Sequence, residues 1–208
     1  MPRHLPALLC LIGAVVMALP RQARADVTII PSASGQLGAW LAAGPFFGSE
    51  HSLRLATSKQ HPPGTRSFDL RIGANALPGH AWRILTASTG QLDLHRQLSA
   101  PSSSAFALLG AVLVADAPAR LLLWLGVDDG VVVMLDGHTV YERDLWRPAL
   151  HDDDAVQLSI TPGRHTLLIR LRQRDGLWTF RARLLDTDKL LPPSNVRFML
   201  PGVEPSQA

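Results

Sequence analysis

The chain is poor in cysteine. Its 208 residues hold one, Cys10, inside an apolar leader. Once that leader is lost the chain has no thiol. Disulfide staples and a cysteine nucleophile are then excluded, and the fold must be held by its core. Familiar catalytic signatures are also missing. There is no Gly-x-Ser-x-Gly, no His-Glu-x-x-His and no glycine-rich phosphate loop. The eight histidines stand singly, none four residues from another. The first 25 residues contain no acid, and beyond them no apolar stretch is long enough to span a bilayer. Ala105 to Ala115 is apolar but only strand-length.

The leader explains the basic balance. Arg3 and His4 precede the apolar run Leu5 to Leu19, Pro20 breaks it, and Ala23-Arg24-Ala25 supplies a small-x-small cleavage pattern before Asp26. This is the layout of a signal peptide over residues 1–25, and it predicts export to the periplasm or beyond. Removing Arg3, Arg21 and Arg24 takes the formal net charge from +3 to 0. A balanced mature chain gives no global reason to expect a nucleic-acid partner.

What the chain has is punctuation. Sixteen prolines and sixteen glycines are spread over it, and no long helical pattern interrupts them. About 180 residues remain after the leader, enough for one domain with a sizeable core. The most informative stretch is Arg120 to Arg143, RLLLWLGVDDGVVVMLDGHTVYER. Asp129-Gly130 and Asp136-Gly137 bracket an apolar run, which reads as strand, tight turn, strand, tight turn, strand. Val156, Leu158 and Ile160 then alternate with polar residues. Thr161-Pro162-Gly163-Arg164 has the residue order of a type II turn. Leu167, Ile169 and Leu171 form one face of a further strand, and Trp178, Phe180, Ala182 and Leu184 one face of the next. Antiparallel strands at this spacing predict an all-β, antiparallel sandwich, jelly-roll-like, over residues 26–186. A proline-rich tail is expected over 187–208.

The first half is less legible. Leu37 to Ala43 reads as a strand ending at Gly44-Pro45, Ser49 to Ser67 as a loop, and Ala81 to Thr86 as a strand. No linker divides the mature chain, and no internal repeat is visible.

Val127-Asp128-Asp129-Gly130-Val131 and Met134-Leu135-Asp136-Gly137-His138-Thr139-Val140 resemble the core of protective-antigen-like, galactose-binding-like bacterial sandwich modules. Pro162 to Leu168, Gly176 to Phe180 and the opening Trp40 to Phe46 (WLAAGPF) fit the same resemblance, which covers about Trp40 to Asp186. Many relatives have Trp-Leu-Asn-Gly where this chain has Met134-Leu135-Asp136-Gly137. The resemblance implies a fold more than an activity. In sugar-binding members of that kind an Asp-Asp pair joined by a cis peptide holds calcium beside a glycan. The matching pair here is Asp128-Asp129, and Asp152, Asp153, Asp154 or the Asp136 turn would have to complete the oxygen shell. The plain alternative is that these acids build turns and a solvated loop.

Trp146, between Asp144-Leu145 and Arg147-Pro148, is the tryptophan expected on an exposed loop and the candidate for stacking on a sugar in a ligand site with Asp128, Asp129 and Asp136, packing into the body of the domain being the alternative. Trp124 and Trp178 are expected in the core. Arg170 and Arg172, and then Arg181 and Arg183, are expected on neighbouring strands with carboxylates such as Glu142 or Asp144 to offset them. Two roles fit the whole. One is a secreted, non-catalytic binding module for carbohydrate or another cell-surface polymer. The other is a structural or protein-interaction domain whose partner is another protein.

Cleavage after Ala25 is expected. N-terminal sequencing of the exported protein should begin at Asp26, and an intact leader in the membrane fraction would contradict it.

Overall fold

The computed structural model describes residues 26–48, 70–87, 90–100 and 103–202. The expected signal peptide, Cys10 and the Ser49–Ser67 loop lie outside them. Among the described residues no helix is long and apolar enough to cross a membrane. In chain order the strands are β1 (Val27–Ile29), β2 (Ala39–Phe46), β3 (Asn75–Leu77), β4 (His80–Ala81), β5 (Arg83–Thr86) and β6 (Gln91–Asp93). A single helical turn, α1 (Leu94–Gln97), follows. Then come β7 (Ser103–Ala115), β8 (Ala119–Val127), β9 (Gly130–Leu135), β10 (His138–Arg143), β11 (Asp154–Ile160), β12 (Gly163–Asp175), β13 (Thr179–Asp186) and β14 (Val196–Leu200).

Two antiparallel sheets carry the architecture, as expected. Sheet A runs β1-β14-β7-β12-β9-β10, with β2 on a further stretch of β7 and β5 on β2. Sheet B runs β11-β8-β13-β6. The period-two pattern of β11 is realised residue by residue. Asp154, Val156, Leu158 and Ile160 are buried while Ala155, Gln157 and Ser159 are exposed. Between the sheets, Trp40 of β2 meets Phe180 of β13 edge-on, ring centroids 5.5 Å apart, and Phe198 of β14 at 5.0 Å. Such pairs add about 0.5–1.5 kcal/mol each beyond area burial. They also join three strands distant in sequence. Val133, Val156, Leu158, Ile160, Leu167, Ile169, Leu171, Trp178 and Phe180 are buried, and Leu135 is partly buried against the same core.

The pairing corrects several expectations. Asp136-Gly137 is a hairpin, with φ of 50° and 80°, the two positive values a type I′ turn requires. Asp129-Gly130 is not. The Asp128 N–H donates to Thr179 O in sheet B and the Asp129 N–H to Arg172 O in sheet A. That segment therefore passes between the sheets, where β8 and β9 each have other neighbours. β12 and β13 likewise belong to different sheets, so Arg170 and Arg172 lie on the opposite outer face from Arg181 and Arg183. Trp124 is on the outer face of sheet B under the Arg183 guanidinium, 5.6 Å from its ring, and not in the core. β2 continues through Gly44-Pro45 with a register shift between Ala43 and Phe46.

The sandwich does not end at Asp186. β14 pairs with both β7 and β1, so the segment expected to be tail supplies part of sheet A. At its end Gly202 N–H donates to Asp26 Oδ1 at 3.4 Å, while Arg164 Nη1 holds Asp26 Oδ2 at 3.0 Å. Replacing Phe198 by alanine should therefore cost about 3–5 kcal/mol in urea unfolding, where a mere tail would show no change.

Candidate functional site

Three connections between the sheets meet at one end of the sandwich. They are Asp128-Asp129 between β8 and β9, residues 144–153 between β10 and β11, and residues 176–178 between β12 and β13. Asp129 ties them. Its side chain is fully buried, and each carboxylate oxygen accepts one main-chain N–H, Oδ1 from Arg147 at 3.1 Å and Oδ2 from Arg174 at 2.7 Å. The Asp128–Asp129 peptide is cis, the conformation the resemblance implies.

The 144–153 connection is fixed at further points. Asp144 takes Arg172 Nη1 at 2.6 Å and Arg174 Nη2 at 2.9 Å. It fits because position 130 is glycine. A Cβ there would lie 2.7 Å from Asp144 Oδ1. A Cβ on Gly126 would lie 1.9 Å from the Leu150 carbonyl oxygen, so the connection runs directly over β8. Asp153 N–H closes onto Leu125 O at 2.9 Å. The Arg147 side chain then turns inward. Its guanidinium donates to Asp153, to both oxygens of Asp154 and, through Nε, to Asp129 O.

Asp154 is the second hub. It is buried, and Arg143 Nη1 and Tyr141 Oη both donate to its Oδ1 at 2.6 Å. Burial works to raise its pKa, but the hydrogen bonds from Arg147, Tyr141 and Arg143 outweigh burial and hold it below the usual carboxylate range. Asp128 is the opposite case. It is 9% exposed, and among the described residues none hydrogen-bonds its carboxylate. Burial, then the charges of Asp129 and Asp175, push its pKa up to about 6.

The expected acids are thus dispersed in role. Asp128, Asp129, Asp153 and Asp154 share one end of the molecule. Asp152 turns away to Arg183, Nε to Oδ1 at 2.7 Å. Asp136 is at the far end of β9, where it takes the Thr166 N–H at 2.8 Å and faces His165 Nδ1 at 2.7 Å. The set does not fit calcium. Each Asp129 oxygen is engaged by a main-chain N–H, Asp153 and Asp154 face the Arg147 guanidinium, and Asp128 alone has no such donor among the described residues. Calcium needs six to eight oxygens. Among the described residues no three His, Cys, Asp or Glu side chains are grouped to hold a metal. Arg147 is the organising residue that sequence reading missed. Its available signal was the opposite-sign pattern Arg143, Asp144, Arg147, Asp152, Asp153, Asp154 in and beside one connection. Trp146 is placed as expected, 71% exposed, with Leu145 and Leu150 exposed in the same connection and Leu177 in the neighbouring one.

No protein-family model matches the chain. No curated protein matches it either. Among solved structures it is similar to the PA14 domain of MpAFP antifreeze protein, with a TM-score of 0.37 and 13% identity over 46% of this chain and 52% of that one. It is similar to the PA14 sugar-binding domain from an RTX adhesin, with a TM-score of 0.39 and 19% identity over 49% of this chain and 55% of that one. It is also similar to the epithelial adhesin 9 A domain from Candida glabrata in complex with Galb1-3GlcNAc, with a TM-score of 0.42 and 8% identity over 86% and 97%. The chain spans about half the length of each PA14 chain.

The raised Asp128 pKa has a definite sign. Folding favours the protonated acid, so its contribution is full below about pH 4 and is lost as pH rises through about 6. Asp128→Asn should therefore be more stable than the parent at pH 7.5, by on the order of 1–3 kcal/mol, and equal to it at pH 4. Urea unfolding at the two pH values checks this.

Proposed function

We propose that the mature chain is an exported, non-catalytic binding module that takes a carbohydrate, or another cell-surface polymer, at the end where the connections meet. Export rests on the leader read over residues 1–25. The observation that carries the binding role is Trp146, 71% exposed on a connection held in place on both sides. Aromatic side chains are costly to leave in water, and an indole face suits the apolar face of a sugar ring. The hydrogen bonds from Arg147 to Asp129 and from Arg172 and Arg174 to Asp144 order that connection before any ligand arrives. Little conformational entropy is then left to lose on binding. Asp128 offers carboxylate oxygens that no described residue uses, and these can accept hydroxyl protons.

The same engagement argues against catalysis. A glycosidase needs two carboxyl groups free to act on the bond. At this end Asp129 and Asp154 are each committed to two or more donors. Calcium has no part in this reading, because the guanidinium of Arg147 takes the oxygens an ion would need.

A glycan array with the parent and Trp146→Ala tests the proposal. The parent should bind a defined glycan equally with calcium and with chelator, and Trp146→Ala should lose the signal at an unchanged melting temperature. Binding that survives in Trp146→Ala would overturn it. An array with no signal at all would favour the structural, protein-contacting role instead.

A further inference from the structure

The outer face of sheet B carries a shallow open depression lined by Gln36, Trp124, Gly126, His151, Arg181 and Arg183, with Asp152 at its rim. Its charges are unevenly satisfied. Arg183 forks onto Asp152, Nε to Oδ1 and Nη2 to Oδ2, both at 2.7 Å, and stacks on Trp124. That pair is neutral.

Arg181 has no such match. Among the described residues none accepts a hydrogen bond from it, and its Nε is shut off from solvent without an acceptor. Its cross-strand neighbours are Gly126 on β8 and Gln91 on β6, which bring no charge. Elsewhere on the surface Arg120, Arg164, Arg172, Arg174 and Arg197 each meet a carboxylate.

The Nε atoms of Arg172 and Arg174 are sheltered without an acceptor as well, but those two guanidinia reach Asp144 through Nη, whereas Arg181 meets no acid at all among the described residues. The planar guanidinium fork matches a carboxylate or a sulfate. The rest of the rim is polar, the Gln36 amide and the His151 imidazole, and suits hydroxyl groups flanking the acid. The cleft opens to solvent and is bounded on one side by the 144–153 connection where it crosses Gly126. We infer that this cleft binds an anionic group, a carboxylate or a sulfate ester, carried on a saccharide, with Arg181 as the charge partner. The site is separate from Trp146. It is also local, because the mature chain has no net positive charge to attract polyanions diffusely.

The test measures binding of oligogalacturonate, dextran sulfate and neutral dextran at low salt by titration calorimetry. One of the two acidic polymers should bind and neutral dextran should not. Which of the two binds distinguishes carboxylate from sulfate. Arg181→Ala should weaken binding about tenfold or more, as expected for losing a charge-assisted pair. Arg181→Lys, which keeps the charge and loses the fork, should fall between, and it serves as the readout if the alanine variant does not fold. Trp146→Ala should bind as the parent does, which separates this site from the one proposed above. Arg83→Ala, removing an exposed arginine of β5, should also be unchanged. The inference is overturned if neither acidic polymer binds, if neutral dextran binds as well, if Arg181→Ala matches the parent, or if Arg83→Ala loses as much as Arg181→Ala.

Discussion

The two oxygens of the Asp129 carboxylate hold the functional end of the molecule together. Asp129 itself belongs to the passage from β8 to β9. One oxygen takes a main-chain N–H from the β10–β11 connection and the other takes one from the end of β12. A short acid thereby fixes three segments, two of which Asp144 ties a second time through Arg172 and Arg174. The bonds are charge-assisted and fully buried, so each is stronger than a neutral one in water. Neutralising the acid would leave two sheltered N–H groups with weakened acceptors. The stacked aromatic core aligns the sheets, but it says nothing about how the connections at their ends are arranged.

Arg147 extends that arrangement by a different logic. A divalent ion attracts oxygens from all directions. A guanidinium offers donors in one plane with fixed angles. The choice of cation therefore dictates which oxygens can be shared. Asp154 sits in that plane, with Arg143 and Tyr141 approaching from β10. A buried charge cluster of this kind costs much to desolvate and is a weak source of net stability. What it contributes is placement. With the guanidinium turned inward, the adjoining Trp146 faces out.

The strands were legible and their partners were not. Alternation in β11, β12 and β13 tells which side chains face inward, because the pleat has a period of two. It does not tell which sheet a strand joins. The two Asp-Gly pairs make the point. Asp136 and Gly137 both adopt positive φ and form a hairpin, whereas Gly130 is already a strand residue and Asp129 bridges the gap between layers. Local composition is the same, and the difference lies in which neighbours β8 and β9 find elsewhere in the chain. Val196–Leu200 was hidden by the prolines around it, although its buried, exposed, buried pattern is that of an ordinary half-buried strand. At the site, Trp146 was legible as an exposed residue and Asp128-Asp129 as a special turn. Arg147 was not, because the run of opposite charges around it shows that a pairing exists but not which arginine turns inward to a buried acid.

The pairing of β1 with β14 brings the two ends of the described sandwich side by side. Asp26 and Gly202 are hydrogen-bonded neighbours at one edge of sheet A, far along the chain from each other and flanking strands that do not build the connections around Asp129. A short linker can join them without disturbing any strand. New termini could then be opened after the exposed Gly137, with Asp136 left at the end of β9, and the order of the elements could be rotated while the arrangement of the layers stayed the same. The covalent order of this chain is thus one of several that the same packing would accept.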